Sequence, residues 1–243
     1  MRIAEHFYSI QGEGTSAGVP AVFLRLSGCN LLCGGHGTIE DKQLHDGATW
    51  RCDTIEVWMK GEKKTTAELL ALFAEQGYTA QLKRGAHLIV TGGEPLQQEG
   101  ALREFLPELV KEVGKDLFVE VETNGTISPS IELAAYVNQW NVSPKLSNSG
   151  MSEERRINTS ALIRFANCLN AWCKVVVSRE EDLSEVALFT QYFRADRMIL
   201  MPAASDRETL RNLLPVIAEL CKKECYRLST RMQVEIWDKT TGV

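Results

Sequence analysis

No run of eighteen apolar residues occurs in this chain of 243 residues, so the sequence predicts no membrane-spanning helix. Positive charge is also scarce: 27 Lys and Arg stand against 32 Asp and Glu, a formal net charge of -5. That balance gives no support to direct nucleic-acid binding or to an anionic membrane as the main partner. The opening residues lack a basic stretch followed by an apolar core, which makes the cytoplasm the expected location. No Pro-, Gly- or Ser-rich linker divides the chain, and its length suffices for one α/β domain, residues 1–243, with a sizeable core. Neither a G-x-G-x-x-G fingerprint nor a Walker loop is present. The seven cysteines are an odd number and cannot all pair within one monomer. A chain of this size needs no disulfide staples, so metal ligation or plain burial is the expectation for them.

What is there centres on Ser27-Gly28-Cys29-Asn30-Leu31-Leu32-Cys33, completed by Arg51-Cys52-Asp53-Thr54. Three thiolates, Cys29, Cys33 and Cys52, can hold three corners of a cubic [4Fe–4S] cluster and leave one iron open for a ligand. Residues 34–51, between the second and third cysteines, read as a polar loop with one short helical turn. On local spacing alone, Cys33, His36, His45 and Cys52 offer an alternative, a zinc-stabilised binding module.

Around this motif the pattern alternates strand and helix. Residues 2–10 read as a short segment of mixed polarity, leading into Gln11-Gly12-Glu13-Gly14, a tight loop with one buried or functional acid. Residues 21–26 form an apolar strand interrupted by Arg25, which must lie at a solvated rim or pair with an anion, structural or substrate. Thr65 and Glu68 make a capping box for a helix ending near Gly77. The strand at residues 87–90 runs into Thr91-Gly92-Gly93-Glu94-Pro95, whose glycines can offer backbone groups to an amino-acid-like ligand. Residues 101–113 have helical spacing, with Pro107 expected to kink or break the element. In the strand at 117–122, Glu120 and Glu122 share one face, and Thr123-Asn124-Gly125-Thr126 follows.

Residues 131–139 read as helical, 140–142 as a strand leading to Ser143-Pro144-Lys145, and 172–178 and 197–202 as further strands. Residues 207–225 read as a helix distorted by Pro215, with Cys221 and Cys225 on one face and simply buried. About six strands, each followed by polar groups, predict a partly open β/α barrel with its site on the rim of strand ends.

These motifs, in this order, resemble radical S-adenosylmethionine enzymes, and more narrowly the 7-carboxy-7-deazaguanine synthase family. The likeness runs through residues 7–14 and 18–31, Cys52-Asp53-Thr54, Thr91-Gly92-Gly93-Glu94-Pro95, residues 121–126 and Val142-Ser143-Pro144-Lys145. The family spaces its cysteines by three and then two residues, so residues 34–51 read as an enlarged cluster loop. The tail departs further: Met201-Pro202 replaces Gln-Pro, and Arg231-Met232-Gln233-Val234 stands where a glutamine and His-Lys are common.

The resemblance implies that Cys29, Cys33 and Cys52 ligate the cluster, whose open iron takes the methionyl end of S-adenosylmethionine. Gly92, Gly93 and Glu94 would hold that end, Glu122 the ribose, with Ser143 and Lys145 in the same layer. Gln11, Glu13, Arg25 and Asn124 would line the pocket for a pterin, and Thr54 would touch Mg²⁺, which prefers hard oxygen ligands. The implied reaction converts 6-carboxy-5,6,7,8-tetrahydropterin to 7-carboxy-7-deazaguanine with loss of ammonia, feeding 7-deazapurine synthesis. A homodimer and an electron donor such as flavodoxin are implied as partners. The divergent tail leaves a second enzymatic reading open, the same chemistry on a different small heterocycle.

Overall fold

The computed structural model describes residues 1–240 and 242–243. Its nine strands are β1 (Arg2–Ile10), β2 (Pro20–Leu26), β3 (Glu62–Lys63), β4 (His87–Gly92), β5 (Val119–Thr123), β6 (Gln139–Val142), β7 (Ala171–Val177), β8 (Met198–Pro202) and β9 (Arg227–Leu228). They form one sheet in the order β3-β1-β2-β4-β5-β6-β7-β8-β9. From β2 to β9 every neighbour is parallel, whereas β1 runs antiparallel to β2 and β3 antiparallel to β1. The two edges, β3 and β9, do not pair, so the sheet is open and incompletely closed.

The six expected strands correspond to β2 and β4 to β8, and the surplus consists of β1, β3 and β9. The segment at residues 2–10 is a nine-residue strand, β1, rather than a short mixed stretch. Its polarity is mixed because most of it is only half-buried, and Phe7 stacks on Phe23 of β2 at 4.9 Å to hold the pair together. The capping box at Thr65 and Glu68 is present, and its helix spans Thr66–Glu75. A second helix, Tyr78–Lys83, follows immediately, with Gly77 as its N-cap in the left-handed region.

Both proline-containing helices continue past the proline, as Glu99–Val113 through Pro107 and Arg207–Glu224 through Pro215. Each proline removes one backbone donor, but Leu102, Phe105, Leu106 and Leu109 of the first helix are fully buried, and that packing keeps the element whole. The expected helix at 131–139 is only Ile131–Ala134, since Gln139 already belongs to β6. Cys221 is buried as expected, but Cys225 is the exposed C-cap of its helix at φ 56° and shares no buried face with it.

Strand alternation sorts the side chains into two layers. Leu88, Val90, Val119, Val121, Trp140, Cys173 and Val175 point to the helices and make the main core. The opposite face carries Arg25, Thr91, Glu122, Asn141 and Lys174, which line a cavity. Deeper on that face, fully buried Glu120 accepts from Gln139 Nε2 (3.1 Å) and Asn141 Nδ2 (3.0 Å) and pairs with His87 Nδ1 (2.7 Å). Phe105, packed edge-on against Phe73 at 5.5 Å, anchors the helix layer. Phe105→Ala is expected to destabilise the fold by about 3–5 kcal/mol, as measured by denaturant unfolding.

Candidate active site

The cavity encloses about 500 Å³ at the strand-end rim. Cys29, Cys33 and Cys52 all line it, and all three are free thiols. The long interval between Cys33 and Cys52 is closed at its neck: the Cys52 amide donates to the Cys33 carbonyl at 3.1 Å. Residues 34–51 therefore leave and return at one point, with the Gly34 amide bound to Ser149 O (2.9 Å) and the Thr49 amide to Asn148 O (2.9 Å). Gly35 is required inside, because a Cβ there would fall 2.4 Å from the His45 carbonyl oxygen. The expected helical turn is Thr38–Asp41.

The two histidines of the zinc alternative each face an aspartate. His36 is turned to Asp46 (2.7 Å) and His45 to Asp41 (2.9 Å). Among the described residues, no group of three or more His, Cys, Asp or Glu side chains is gathered so as to hold a metal ion, the zinc set and the three cysteines alike. The thiol surroundings do fit a thiolate-held cluster. Leu31, Met151, Leu32 and Trp50 pack around the three cysteines. Burial pushes the Cys29 thiol up to about 11 and the Cys33 thiol up to about 12, a penalty that bound metal would reverse by stabilising thiolate.

The Gly-Gly-Glu turn after β4 is pressed against the cysteine loop. A Cβ on Gly93 would lie 2.1 Å from the Gly28 carbonyl oxygen, and one on Gly92 would lie 2.2 Å from that of Leu26. The amides of Gly93 and Glu94 are already given to Leu26 O (3.3 Å) and Gly28 O (2.9 Å). Those two N–H groups are thus taken up within the protein, while Gly92 and Gly93 line the cavity. Glu94 is fully buried and does not itself line the cavity. Burial pushes its carboxyl up, while the amides of Asn124 (2.7 Å) and Leu96 (3.0 Å) and the Thr123 hydroxyl (2.9 Å) donate to it. Its side chain ties the ends of β4 and β5 together. Asn124, at the cavity wall, donates to Asn30 Oδ1 at 2.9 Å and so braces the cysteine loop.

Glu122, Ser143 and Lys145 are brought together on the cavity wall. Glu122 accepts from Thr91 Oγ1 (2.8 Å) and Gln11 Nε2 (3.3 Å). Lys145 Nζ donates to Ser143 Oγ at 2.9 Å. Thr54 also lines the cavity, with Oγ1 3.4 Å from Cys52 Sγ. Arg25 donates through Nε to Glu5 Oε1 at 2.7 Å, so its partner is a structural acid, while it still reaches the cavity.

Glu13 meets two cations and a side-chain amide that no sequence motif announces. Lys174 of β7, Arg231 Nε (2.9 Å) and Gln233 Nε2 (2.7 Å) all donate to its carboxylate. Burial alone would raise the Glu13 carboxyl, but the two cations outweigh it and hold it well below the usual range. Lys174 is buried yet stays protonated between Glu13 and Glu122, the latter 3.8 Å away. Lys174 carried a legible signal, since it is a lone cation on one face of an apolar strand, as Arg25 is. Arg231 carried none.

A carboxyl lowered on folding contributes stability above its ordinary pKa near 4.5, and that contribution is lost as pH falls through its depressed value. Glu13→Gln is therefore expected to flatten the fall in melting temperature between about pH 5 and about pH 3, read by thermal melts of variant and wild type side by side.

No family model matches this chain. Among curated proteins, the 7-carboxy-7-deazaguanine synthase of Pyrobaculum aerophilum is 32% identical over 250 residues, spanning 100% of this chain and 97% of that protein. Among solved structures, QueE from Escherichia coli superposes with a TM-score of 0.64 and 26% identity, covering 95% of this chain and 93% of that one. Streptococcus suis SuiB, solved with S-adenosylmethionine, reaches a TM-score of 0.50 at 14% identity over 75% of this chain and 48% of that one, a likeness of fold. The motif order, the open sheet and end-to-end identity agree: this chain belongs to the 7-carboxy-7-deazaguanine synthase family of the radical S-adenosylmethionine superfamily.

Proposed function

We propose that this chain converts 6-carboxy-5,6,7,8-tetrahydropterin to 7-carboxy-7-deazaguanine with loss of ammonia, in 7-deazapurine synthesis. One observation carries the reading: the three free thiols open onto the same cavity as Glu122, Lys145 and the Glu13 cluster. A cofactor held by the first group and a polar heterocycle beside the second would share one enclosed space. Cys29, Cys33 and Cys52 would hold a [4Fe–4S] cluster and S-adenosylmethionine would bind beside it, together supplying the electron and the hydrogen-abstracting group.

The chain's own residues supply position and charge. Gly92 and Gly93 shape the wall against the methionyl end, and Glu94 acts behind it by holding β4 to β5. The Glu122 carboxylate would hold the ribose, and Lys145, steadied by Ser143, adds a positive charge to the same cavity as the thiols. Gln11 fixes Glu122 from the pterin side, and Asn124 steadies the cysteine loop. Arg25, half-engaged by Glu5, keeps guanidinium nitrogens for a substrate carboxylate. The Thr54 hydroxyl, a hard oxygen donor, would be the residue to hold Mg²⁺. A reduced flavodoxin-type donor and a second copy of the chain are the partners we propose.

Met201, Arg231 and Gln233 at the cavity favour one second reading, a related heterocycle in place of the pterin. Anaerobically reconstituted protein is expected to bind about four iron per chain. With S-adenosylmethionine, reductant and Mg²⁺ it should turn the pterin into a product with the mass of 7-carboxy-7-deazaguanine. Abundant 5′-deoxyadenosine without that product would select the second reading. Cys52→Ala should abolish turnover and lower bound iron, and full activity in that variant would remove Cys52 from the ligand set.

A further inference from the structure

We infer that Arg231 is a positioning residue whose guanidinium holds the Cys52-Asp53-Thr54 segment in register with Glu13 across the mouth of the cavity. It joins three segments remote in sequence. Nε donates to Glu13 Oε1 at 2.9 Å, and one terminal nitrogen donates to Asp53 Oδ2 at 2.8 Å. The other donates to the carbonyl of Ala204, just beyond β8. The side chain is 14% exposed, so these bonds are largely shielded from water. A planar guanidinium satisfies three separate acceptors at fixed angles, which an ammonium cannot reproduce.

Asp53 lies between Cys52 and Thr54, so anchoring its carboxylate restrains the backbone on both sides. The anchor is itself braced, because the Met232 amide donates to the Gly12 carbonyl at 2.9 Å. A Cβ on Gly12 would fall 1.8 Å from Gln233 Oε1, which shows how tightly the tail is seated on this loop. The Arg231 guanidinium bonds to Glu13, Asp53 and Ala204 rather than to the thiols or the Thr54 hydroxyl, so its influence passes through Asp53 and Glu13. The tail, where the family likeness is weakest, thus supplies the tie between the cysteine loop and the far wall.

The test is amide hydrogen exchange on the anaerobically purified full chain. Arg231→Met is expected to speed exchange at residues 51–55 by about tenfold or more, while β4 and β5 stay within about twofold. Arg231→Lys should fall between variant and wild type. Arg211→Met, which cuts the exposed Arg211–Glu235 pair of the same tail, should leave residues 51–55 unchanged. Wild-type exchange at 51–55 in folded Arg231→Met, or equal acceleration in Arg211→Met, would overturn the assignment. Should Arg231→Met not fold, Asp53→Asn weakens the same bond from the other side, and unchanged exchange there overturns it equally.

The kinetic consequence rests on the function proposed above. KM for the pterin should rise about tenfold in Arg231→Met, with KM for S-adenosylmethionine within about twofold. An unchanged pterin KM would count against the tie. If wild type makes no deazaguanine, the functional reading fails, and the exchange result still decides the role of Arg231.

Discussion

Where the thiols stand depends on a contact between two backbones, Gly28 in the cysteine loop and Gly93 at the end of β4. The Glu94 amide donates to the Gly28 carbonyl, and any Cβ on Gly93 would occupy the space that carbonyl needs. Side chains cannot substitute for that approach, since the strands are neighbours and the loop must cross directly over the turn. Glu94 completes the joint from behind, and burying it is tolerable because two amides and a hydroxyl converge on its carboxylate. The loop's position is transmitted onward: Asn30 meets Asn124, and Cys33 meets Cys52 through their backbones.

The cavity face of the sheet is unusually polar for the interior of an α/β fold. Glu120 and Glu122 project from β5 and Lys174 from β7, two strands away, and Glu13 with Arg231 enters from loop and tail. Each acid has a defined partner, which offsets the cost of removing charge from water. Removing one member strands its immediate partners. The lower part of this layer, around Glu120 and His87, is closed on itself. Its upper part borders the cavity, where Glu122 and Arg25 retain contact with open space.

Much of this was legible in the residues. Period-two alternation in the strand holding Glu120 and Glu122 separates core from cavity face, and Thr65 with Glu68 marks a helix start unaided. The parallel strands follow from apolar runs ending in polar turns. By contrast, β1 is a strand because β2 pairs with it, not because its own pattern is apolar. Pro107 and Pro215 break helices in isolation, but here packing on the core outweighs the one donor each removes.

The sequence by itself determined the apolar faces, the order of strand and helix, and the three cysteines with the glycine turn that serves them. These depend on neighbours within a few residues. Only the tertiary structure decided that Cys52 returns to Cys33, that Glu94 turns inward, and that Glu13 is shared by Lys174 and Arg231. Those outcomes join groups up to 218 positions apart, Glu13 and Arg231 being the widest. A local pattern cannot encode which distant donor will meet a buried acceptor, because that is settled when the sheet curves and brings its rims together.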